Sequence, residues 1–198
     1  MRRVLTLSVL LLPRVAAAQS TIKAPGDRPS YVLELEPHAS LGLFDPPGRW
    51  AGGDGLGAGG RAAFEIVDVG FVPTINDSVA IGVGADIVHY AGGGGDPRGT
   101  CSRYAAGPAG TNVCVEIARA GGASTYVFVP VVMQWNFWLA RRWSVFGEPG
   151  LSVYWSDVGG AGVAPVVDVG GRFHVTERVT LTLRLGYPVV TLGVSFLL

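Results

Sequence analysis

From Tyr31 onward, apolar side chains recur at every second position along most of the chain. In the segment 31–44 the odd positions are mostly leucine, proline and alanine, whereas the even positions include Glu34, Glu36 and His38. A period of two is the pattern of a β-strand with one apolar face. The same alternation recurs in further runs and predicts eight strands, which cover 31–44, 61–72, 78–90, 124–138, 143–156, 163–175, 179–187 and 190–196.

The connections between the predicted strands alternate in length. Two are long and rich in glycine, namely the stretch after Phe44 and the segment 91–123. Three are tight turns with the sequences TIND, ARR and TER, at 74–77, 140–142 and 176–178. Within the second strand the apolar phase changes near Ile66 and Val67, which predicts a β-bulge at that point.

The polar face of these strands decides between a soluble barrel and a membrane barrel. It consists mainly of glycine, serine, threonine and alanine with isolated charges, and Lys23 is the only lysine. A soluble domain normally exposes many charged side chains, whereas a transmembrane barrel turns its apolar face to lipid and its polar face to the lumen. We therefore predict an all-β fold, an eight-stranded antiparallel up-and-down transmembrane β-barrel over residues 31–198. A soluble barrel with an internal apolar cavity is the alternative.

The segment WSVFGEPGLSVYW, residues 143–155, begins and ends with tryptophan. Twelve steps of about 3.3 Å at a tilt near 45° rise roughly 28 Å along the membrane normal, close to the apolar band of about 25 Å in such barrels. Indole rings favour the membrane–water interface. We therefore interpret the segment as one complete crossing. The predicted interfacial aromatics are Trp135, Trp143, Trp155 and Tyr187.

The N-terminal segment predicts export. Arg2 and Arg3 precede an apolar run from Val4 to Leu12, and Ala16, Ala17 and Ala18 follow, which is the order of a secretory signal peptide. We predict a signal peptide at 1–18 and a flexible periplasmic lead-in at 19–30. Loss of the three arginines of the signal peptide changes 15 basic and 15 acidic residues to 12 and 15, a balance that does not suggest nucleic acid as a partner.

Residues 31–198 resemble the small bacterial outer-membrane β-barrel proteins, the broad group of OmpA-, OmpX- and OmpW-like barrels. The resemblance rests on the alternation, the turn asymmetry and the terminal strand VVTLGVSFLL. In that group the last strand usually ends on an aromatic residue that serves as the insertion signal, whereas here two leucines follow Phe196. The resemblance implies an outer-membrane location, with outer-membrane lipid and the barrel-insertion machinery as partners.

The inward face of such a barrel would carry ionisable side chains of both signs. An eight-stranded interior is just wide enough to be filled by side chains, and buried charges need partners. We interpret the set as an ion-paired plug, with a polar conduit or a proton-linked site as the alternative. The predicted lumen network comprises Glu34, Glu36, His38, Glu65, Asp86, Glu148, Asp168, Arg172, His174 and Arg184, with Arg61 and Asp68 on the same face.

The only two cysteines, Cys101 and Cys114, lie in the long glycine-rich segment. In an exported protein such a pair is expected to form a disulfide. A loop of about 14 residues closed in this way is worth roughly 3 kcal/mol in the chain-entropy model. Two thiols do not make a metal site, and we expect neither a metal nor a cofactor. The long loops could bind a surface ligand that the sequence does not identify.

Two motifs carry candidate chemistry. GLGAGG, residues 55–60, matches the G-x-G-x-x-G pattern, but a dinucleotide site needs a strand before it and a helix after it. We place the motif in a glycine-rich loop and predict no nucleotide. His89 with Ser124 or Thr125 offers a base and a hydroxyl on the outward face. We interpret His89 as a headgroup anchor and predict no enzyme.

The predicted function is that of a structural or surface-binding outer-membrane barrel with a largely plugged interior. Pro149 and Pro165 lie within strands and remove two amide donors from the wall. A loosened wall makes passive transport of small hydrophobic solutes the first alternative. An outer-membrane acyl-lipid hydrolase is the second.

Overall fold

The structure is a computed structural model that describes residues 28–48, 54–92, 100–107, 111–118 and 123–198. The predicted signal peptide and most of the predicted lead-in lie outside these residues. The strands in the described part of the chain are β1 (Leu33–Gly42), β2 (Gly55–Val67), β3 (Asn76–Tyr90), β4 (Thr100–Ala106), β5 (Asn112–Ala118), β6 (Ser124–Ala140), β7 (Trp143–Ser156), β8 (Gly160–His174), β9 (Val179–Tyr187) and β10 (Val190–Leu197).

Eight of these strands form a closed antiparallel barrel in the order β1-β2-β3-β6-β7-β8-β9-β10, with β10 pairing back to β1. Each barrel strand is hydrogen-bonded to the barrel strands before and after it in the chain, so the topology is up-and-down. The predicted eight-stranded antiparallel barrel is confirmed. No helix in the described residues is long and apolar enough to cross a bilayer.

The segment between β3 and β6 contains a separate antiparallel hairpin, β4–β5, which the sequence pattern did not predict. The expectation that all of 91–123 is a loop was wrong, although Val113, Val115 and Ile117 occupy every second position of β5. Cys101 lies on β4 and Cys114 on β5. The backbone therefore brings both cysteines into one hairpin, while the side chain of Cys101 lies outside the described residues.

Strand β2 begins at Gly55, six residues before the predicted start at Arg61. The motif GLGAGG thus lies in a strand, and its placement in a loop was wrong. The reason for the glycines is close approach inside the barrel. A Cβ at Gly59 would lie 2.4 Å from Asp86 Oδ1 and 2.7 Å from His38 Nε2. Glycines have no side chains to alternate, so the strand gives no period-two signal here.

The register between β2 and β3 shifts between Glu65 and Val67, which confirms the predicted bulge. However, β2 ends at Val67, and the residues up to 72 that we assigned to the same strand belong to the connection 68–75. Asp68 is consequently exposed at the rim instead of facing the lumen. The predicted turn TIND was also misplaced, because Asn76 and Asp77 already belong to β3.

Burial in the barrel wall is inverted relative to a soluble protein. On β1, Glu34 and Glu36 are 2% and 1% exposed, whereas Leu35 and Leu41 are 39% and 42% exposed. The other barrel strands repeat this arrangement, with buried arginine, glutamate, serine and threonine and exposed leucine and valine. Soluble proteins seldom bury such charges without partners or expose so much contiguous apolar surface.

The two ends of the barrel differ. The short-turn end carries the segment 28–32 and the connections 68–75, 141–142 and 175–178, and the loop end carries the connections 43–54, 91–123, 157–159 and 188–189. Strand β8 starts three residues before the predicted Val163. It extends beyond β9, so its residues 160–166, which we term the β8 edge, pair with β7 alone among the described strands.

Candidate functional site

The centre of the lumen is organised around Arg184 of β9. Its Nε donates to Glu148 Oε2 at 2.9 Å and its Nη2 to Glu148 Oε1 at 3.3 Å. Its Nη1 donates to Glu36 Oε1 on β1, and the Ser195 hydroxyl donates to the other Glu36 oxygen at 2.9 Å. One buried guanidinium therefore links strands from opposite parts of the wall, in the planar two-point geometry that arginine and carboxylates favour.

A second arginine completes this central group. Arg61 of β2 donates to Glu148 Oε2 at 2.6 Å, and the same nitrogen lies 3.6 Å from Asp168 Oδ2. Asp168 Oδ1 is buried and has no hydrogen-bond partner among the described residues. Glu148 thus accepts from two guanidinium groups, whereas Asp168 has one long contact.

His38 lies toward the loop end of the network. Its Nε2 is 2.7 Å from Asp86 Oδ1, and its Nδ1 is 3.4 Å from Glu36 Oε1. The Ser40 hydroxyl donates to the same Asp86 oxygen at 2.6 Å. The imidazole therefore joins Asp86 to the central group through Glu36.

Toward the short-turn end, Arg172 of β8 forms a second two-point ion pair. Its Nε and Nη2 donate to the two oxygens of Glu34 at 3.0 and 2.8 Å, and its Nη1 donates to Asn136 at 2.6 Å. The guanidinium stacks over the Phe146 ring at 4.1 Å from the ring centre. Arg184 lies 5.0 Å from the same ring, so Phe146 separates the two cations.

The short-turn mouth is closed by a residue that we had assigned to the flexible lead-in. Arg28 is buried, donates to both oxygens of Glu65 at 3.1 Å, and forms a short ion pair with Asp68. It also lies 4.8 Å above the ring of Trp138. No strand pattern surrounds Arg28, so only the folded chain reveals its position.

The loop end of the lumen is filled by aromatic rings, which our sequence analysis missed. Tyr126 contacts Tyr90 edge-on at 5.5 Å, stacks on Phe128 at 5.6 Å and lies 6.1 Å from Tyr154. Val88 and Val189 pack against this aromatic cluster. The signal was available, because all four rings are at even positions, which is the inward phase of their strands.

The structure brings most of the predicted lumen residues into one connected set. Two of them lie apart at the short-turn mouth, since Glu65 pairs with Arg28 and His174 contacts the Ser144 hydroxyl at 3.1 Å. The buried set in the barrel interior comprises Glu34, Glu36, His38, Arg61, Asp86, Glu148, Asp168, Arg172 and Arg184. In the described part of the chain, no cluster of three histidine, cysteine or acidic residues has the arrangement of a metal site.

The predicted interfacial aromatics are exposed to different degrees. Trp143 and Trp155 are 54% and 48% exposed. Trp135 is partly buried and donates from its indole nitrogen to Asp77 at 3.1 Å. Tyr187 is also partly buried, at the end of β9.

His89 lies on the outward face at the loop end, beside one of the two hydroxyls that we had considered. Its Nδ1 is 3.0 Å from Thr125 Oγ1. The Ser124 hydroxyl instead donates to Asp157 Oδ1 at 2.6 Å, and the Thr125 amide donates to the same oxygen at 3.0 Å. His89 and Thr125 are therefore in contact. The neighbouring carboxylate of Asp157 is bound by the Ser124 hydroxyl and the Thr125 amide.

Comparisons with known proteins gave matches to solved structures at low sequence identity. No protein-family model and no curated protein matches the chain. It is similar to the Yersinia pestis outer membrane protein Ail in phospholipid nanodiscs, with 9% identity over 84% of this chain and 99% of that one, and a TM-score of 0.42. The similarity to Ail in complex with the heparin analogue sucrose octasulfate has 8% identity over 83% of this chain and 96% of that one, and a TM-score of 0.43. The similarity to a crystal structure of Yersinia pestis Ail has 10% identity over 85% of this chain and 98% of that one, and a TM-score of 0.36.

Proposed function

We propose that this chain is an outer-membrane β-barrel protein with a closed, ion-paired interior and a structural or surface-binding role. The observation that carries the proposal is the inverted burial of the wall. A continuous outward surface of leucine, valine and phenylalanine costs about 25 cal/mol per Å² in water but not in hydrocarbon. A closed barrel also satisfies the backbone hydrogen bonds of a chain in a bilayer.

A plugged lumen is supported at three levels. Arg28 and Trp138 occupy the short-turn mouth, the arginine–carboxylate network occupies the centre, and the aromatic cluster of Tyr90, Tyr126, Phe128 and Tyr154 occupies the loop end. An eight-stranded barrel has no room for a channel beside such side chains. We expect no conductance steps when the purified protein is reconstituted in planar bilayers.

Membrane location is tested by fractionating expressing cells and comparing heated with unheated samples on gels. The expected result is an outer-membrane protein whose gel mobility changes on heating, since a folded barrel migrates differently from the unfolded chain. A folded barrel in the soluble fraction would overturn the proposal in favour of the soluble alternative. N-terminal sequencing of the mature protein is expected to begin at Gln19, because the proposed signal peptide ends at Ala18. Outer-membrane lipid and the barrel-insertion machinery are the proposed partners.

The proposed surface role involves the hairpin β4–β5 and a disulfide between Cys101 and Cys114. Both cysteines belong to the two strands of this hairpin, with Cys101 opposite Ile117 and Cys114 opposite Tyr104 in an irregular register. The expected result is no reaction of the folded, unreduced protein with a thiol reagent, and two reactive thiols after reduction. Two reactive thiols before reduction would rule the disulfide out.

A second candidate function is passage of small hydrophobic solutes through the wall. Two observations favour it: the β8 edge, which contains Pro165, has no partner strand on its β9 side among the described residues, and the pairing of β6 with β7 is interrupted opposite Pro149. Uptake of a hydrophobic fluorescent dye would then fall in Pro165→Val and Pro149→Val. Unchanged uptake in both variants would count against transport.

A third candidate, an acyl-lipid hydrolase, is favoured only by the contact between His89 and Thr125. A nucleophile needs a base that a third group orients, and Asp157 is bound to Ser124 and to the Thr125 amide instead. We therefore assign the pair to the membrane rim. Lipid mass spectrometry after expression of the parent protein and of Thr125→Val is expected to give identical acyl patterns, and deacylation by the parent alone would reverse this assignment.

A further inference from the structure

A polar cleft opens at the short-turn end, outside the ion-paired network. It has a volume of about 550 Å³ and lies between the chain segment 28–30 and the turns that contain Arg142 and Glu177. The two turns are connected, because the His174 amide donates to the Arg142 carbonyl at 2.9 Å. The cleft is thus built on the paired ends of β7 and β8.

His174 lines this cleft and carries a buried polar ring atom. The residue is 4% exposed, and its Nε2 contacts the Ser144 hydroxyl at 3.1 Å. Its Nδ1 is buried and has no hydrogen-bond partner in the described part of the chain. A buried polar group without a partner is destabilising, because it has lost its hydrogen bonds to water. When Nε2 accepts from Ser144, Nδ1 carries the proton and lacks an acceptor.

Arg142 provides a cation at the same cleft. Its side chain is exposed and forms no ion pair with any described residue. Arg141 and Arg28 also line the cleft, but Arg28 is already bound to Glu65 and Asp68. Glu177 adds one negative charge to the lining. The positive charge that remains suits one oxyanion rather than several.

The outer wall beside this cleft is aromatic. Trp143 follows Arg142 directly, and its ring lies 4.9 Å from that of Phe173, the neighbour of His174. Trp143 is half-exposed on the outward face. Hydrogen-bond donors for a phosphate thus lie next to aromatic side chains, which favour the membrane–water interface where lipid headgroups meet the acyl chains.

We propose that the cleft binds the phosphate group of a phospholipid, with Arg142 and His174 Nδ1 as donors and the Trp143–Phe173 pair beside the glycerol and acyl chains. The natural source is the periplasmic leaflet, an assignment that rests on the proposed membrane location. The amphiphilic surroundings distinguish this ligand from free phosphate, which would use only the donors. The site anchors the short-turn end of the barrel in the headgroup layer.

Native mass spectrometry of the purified mature protein in a neutral detergent tests this proposal with dioctanoyl phosphatidylglycerol as the probe. We expect one retained lipid per chain. Arg142→Gln is expected to weaken binding about tenfold, the effect of one lost charge-assisted hydrogen bond. His174→Gln keeps an amide near the position of Nε2 for Ser144 but has no group at the position of Nδ1, and it should weaken binding similarly. Arg178→Gln, a neighbouring exposed arginine outside the cleft lining, is the matched control and should bind like the parent.

Two results would overturn the proposal. Lipid retention that is equal in the parent, Arg142→Gln and His174→Gln would show that the cleft is not the binding site. Inorganic phosphate that displaces the lipid and depends on the same two residues would identify a free-anion site instead. Folding of each variant is scored by its heat-dependent gel mobility. Because the lipid probe is added in detergent, a failure of lipid binding is distinguishable from a failure of the chain to fractionate with membranes.

Discussion

Arg184 of β9 and Glu148 of β7 form a two-point ion pair across the lumen, with nitrogen–oxygen distances of 2.9 and 3.3 Å. Strand β8 lies between them in the wall, so this pair joins strands that share no backbone hydrogen bonds. Glu148 also accepts from Arg61 at 2.6 Å. Both arginines of the central network therefore share this one carboxylate.

We predict that Glu148→Gln strongly destabilises the barrel. The substitution removes the acceptor charge that the two arginines share, so Arg184 keeps only its contact with Glu36 and Arg61 only the 3.6 Å contact with Asp168. Loss of one partner of a buried ion pair typically costs about 3–5 kcal/mol. The free energy of unfolding is measured by denaturant titration of the refolded protein in detergent or lipid. A smaller loss of unfolding free energy than in the control Asp168→Asn would contradict the role of Glu148 as the shared acceptor.

The matched control is Asp168→Asn, because Asp168 is directly opposite Glu148 in the register of β7 and β8. One of its oxygens has no partner among the described residues, and the other is 3.6 Å from Arg61. We expect a loss of less than about 1 kcal/mol, the size of a weak ion pair. The same denaturant titration measures it.

Gly170 and Gly147 provide a test of packing on the two faces of the wall. A Cβ at Gly170 would lie 2.1 Å from the tip of the Phe146 ring, which also contacts Arg172, whereas a Cβ at Gly147 would have no neighbour within 4 Å. We predict that Gly170→Ala costs about 1–3 kcal/mol through overpacking. Gly147→Ala should stay within about 0.5 kcal/mol of the parent. Equal unfolding midpoints for the two variants would argue against a tightly packed lumen.

The turn between β7 and β8 carries a pH-dependent contact outside the barrel wall. The hydrogen bond from the Ser124 hydroxyl, followed by that from the Thr125 amide, lowers the pKa of Asp157 below its ordinary value. The stability from this contact is therefore present above the ordinary aspartate pKa and is lost as the pH falls through the lowered one. We predict that Ser124→Ala raises the pKa of Asp157, as measured by NMR titration of its carboxyl carbon.

Ser156→Ala is the control for that titration. Ser156 accepts a hydrogen bond from the Gly159 amide at 2.7 Å in the same turn. Its removal disturbs the turn without removing a donor to Asp157, so the pKa of Asp157 should remain lowered. An equal rise in both variants would mean that turn geometry, and not the Ser124 hydroxyl, controls the titration.

The two exposed tryptophans of β7 provide a measure of membrane depth. We predict that Trp143 and Trp155 lie at opposite interfaces, because they occupy the two ends of one strand whose outward residues between them are largely apolar. Variants that keep one of them, with the other tryptophans changed to phenylalanine, are reconstituted in lipids brominated at known depths. Quenching should be strongest for shallow bromines in both cases. Strongest quenching at the bilayer centre for either tryptophan would refute the crossing.

The alternation of side chains also explains why sequence-based prediction failed at particular places. It failed at 55–60, where Gly59 makes room for His38 and Asp86 and where glycines have no side chains to alternate. It failed again at the hairpin β4–β5, where the alternation of Val113, Val115 and Ile117 is short and lies inside a glycine-rich segment. The aromatic cluster was missed for a different reason, since the inward phase was known but the rings at Tyr90 and Tyr126 were not followed along it.

The sequence by itself determined the strand phase and therefore which side chains face inward, because successive residues of a strand point to opposite sides whatever the strand pairs with. Only the tertiary structure decided which charges meet. Glu36 and Arg184 are far apart in the chain, and they meet because closure of β10 on β1 curves the sheet until side chains of distant strands share one narrow lumen. Alternation is a local property of the backbone, whereas charge pairing across the lumen depends on closure, register and the space that glycines leave.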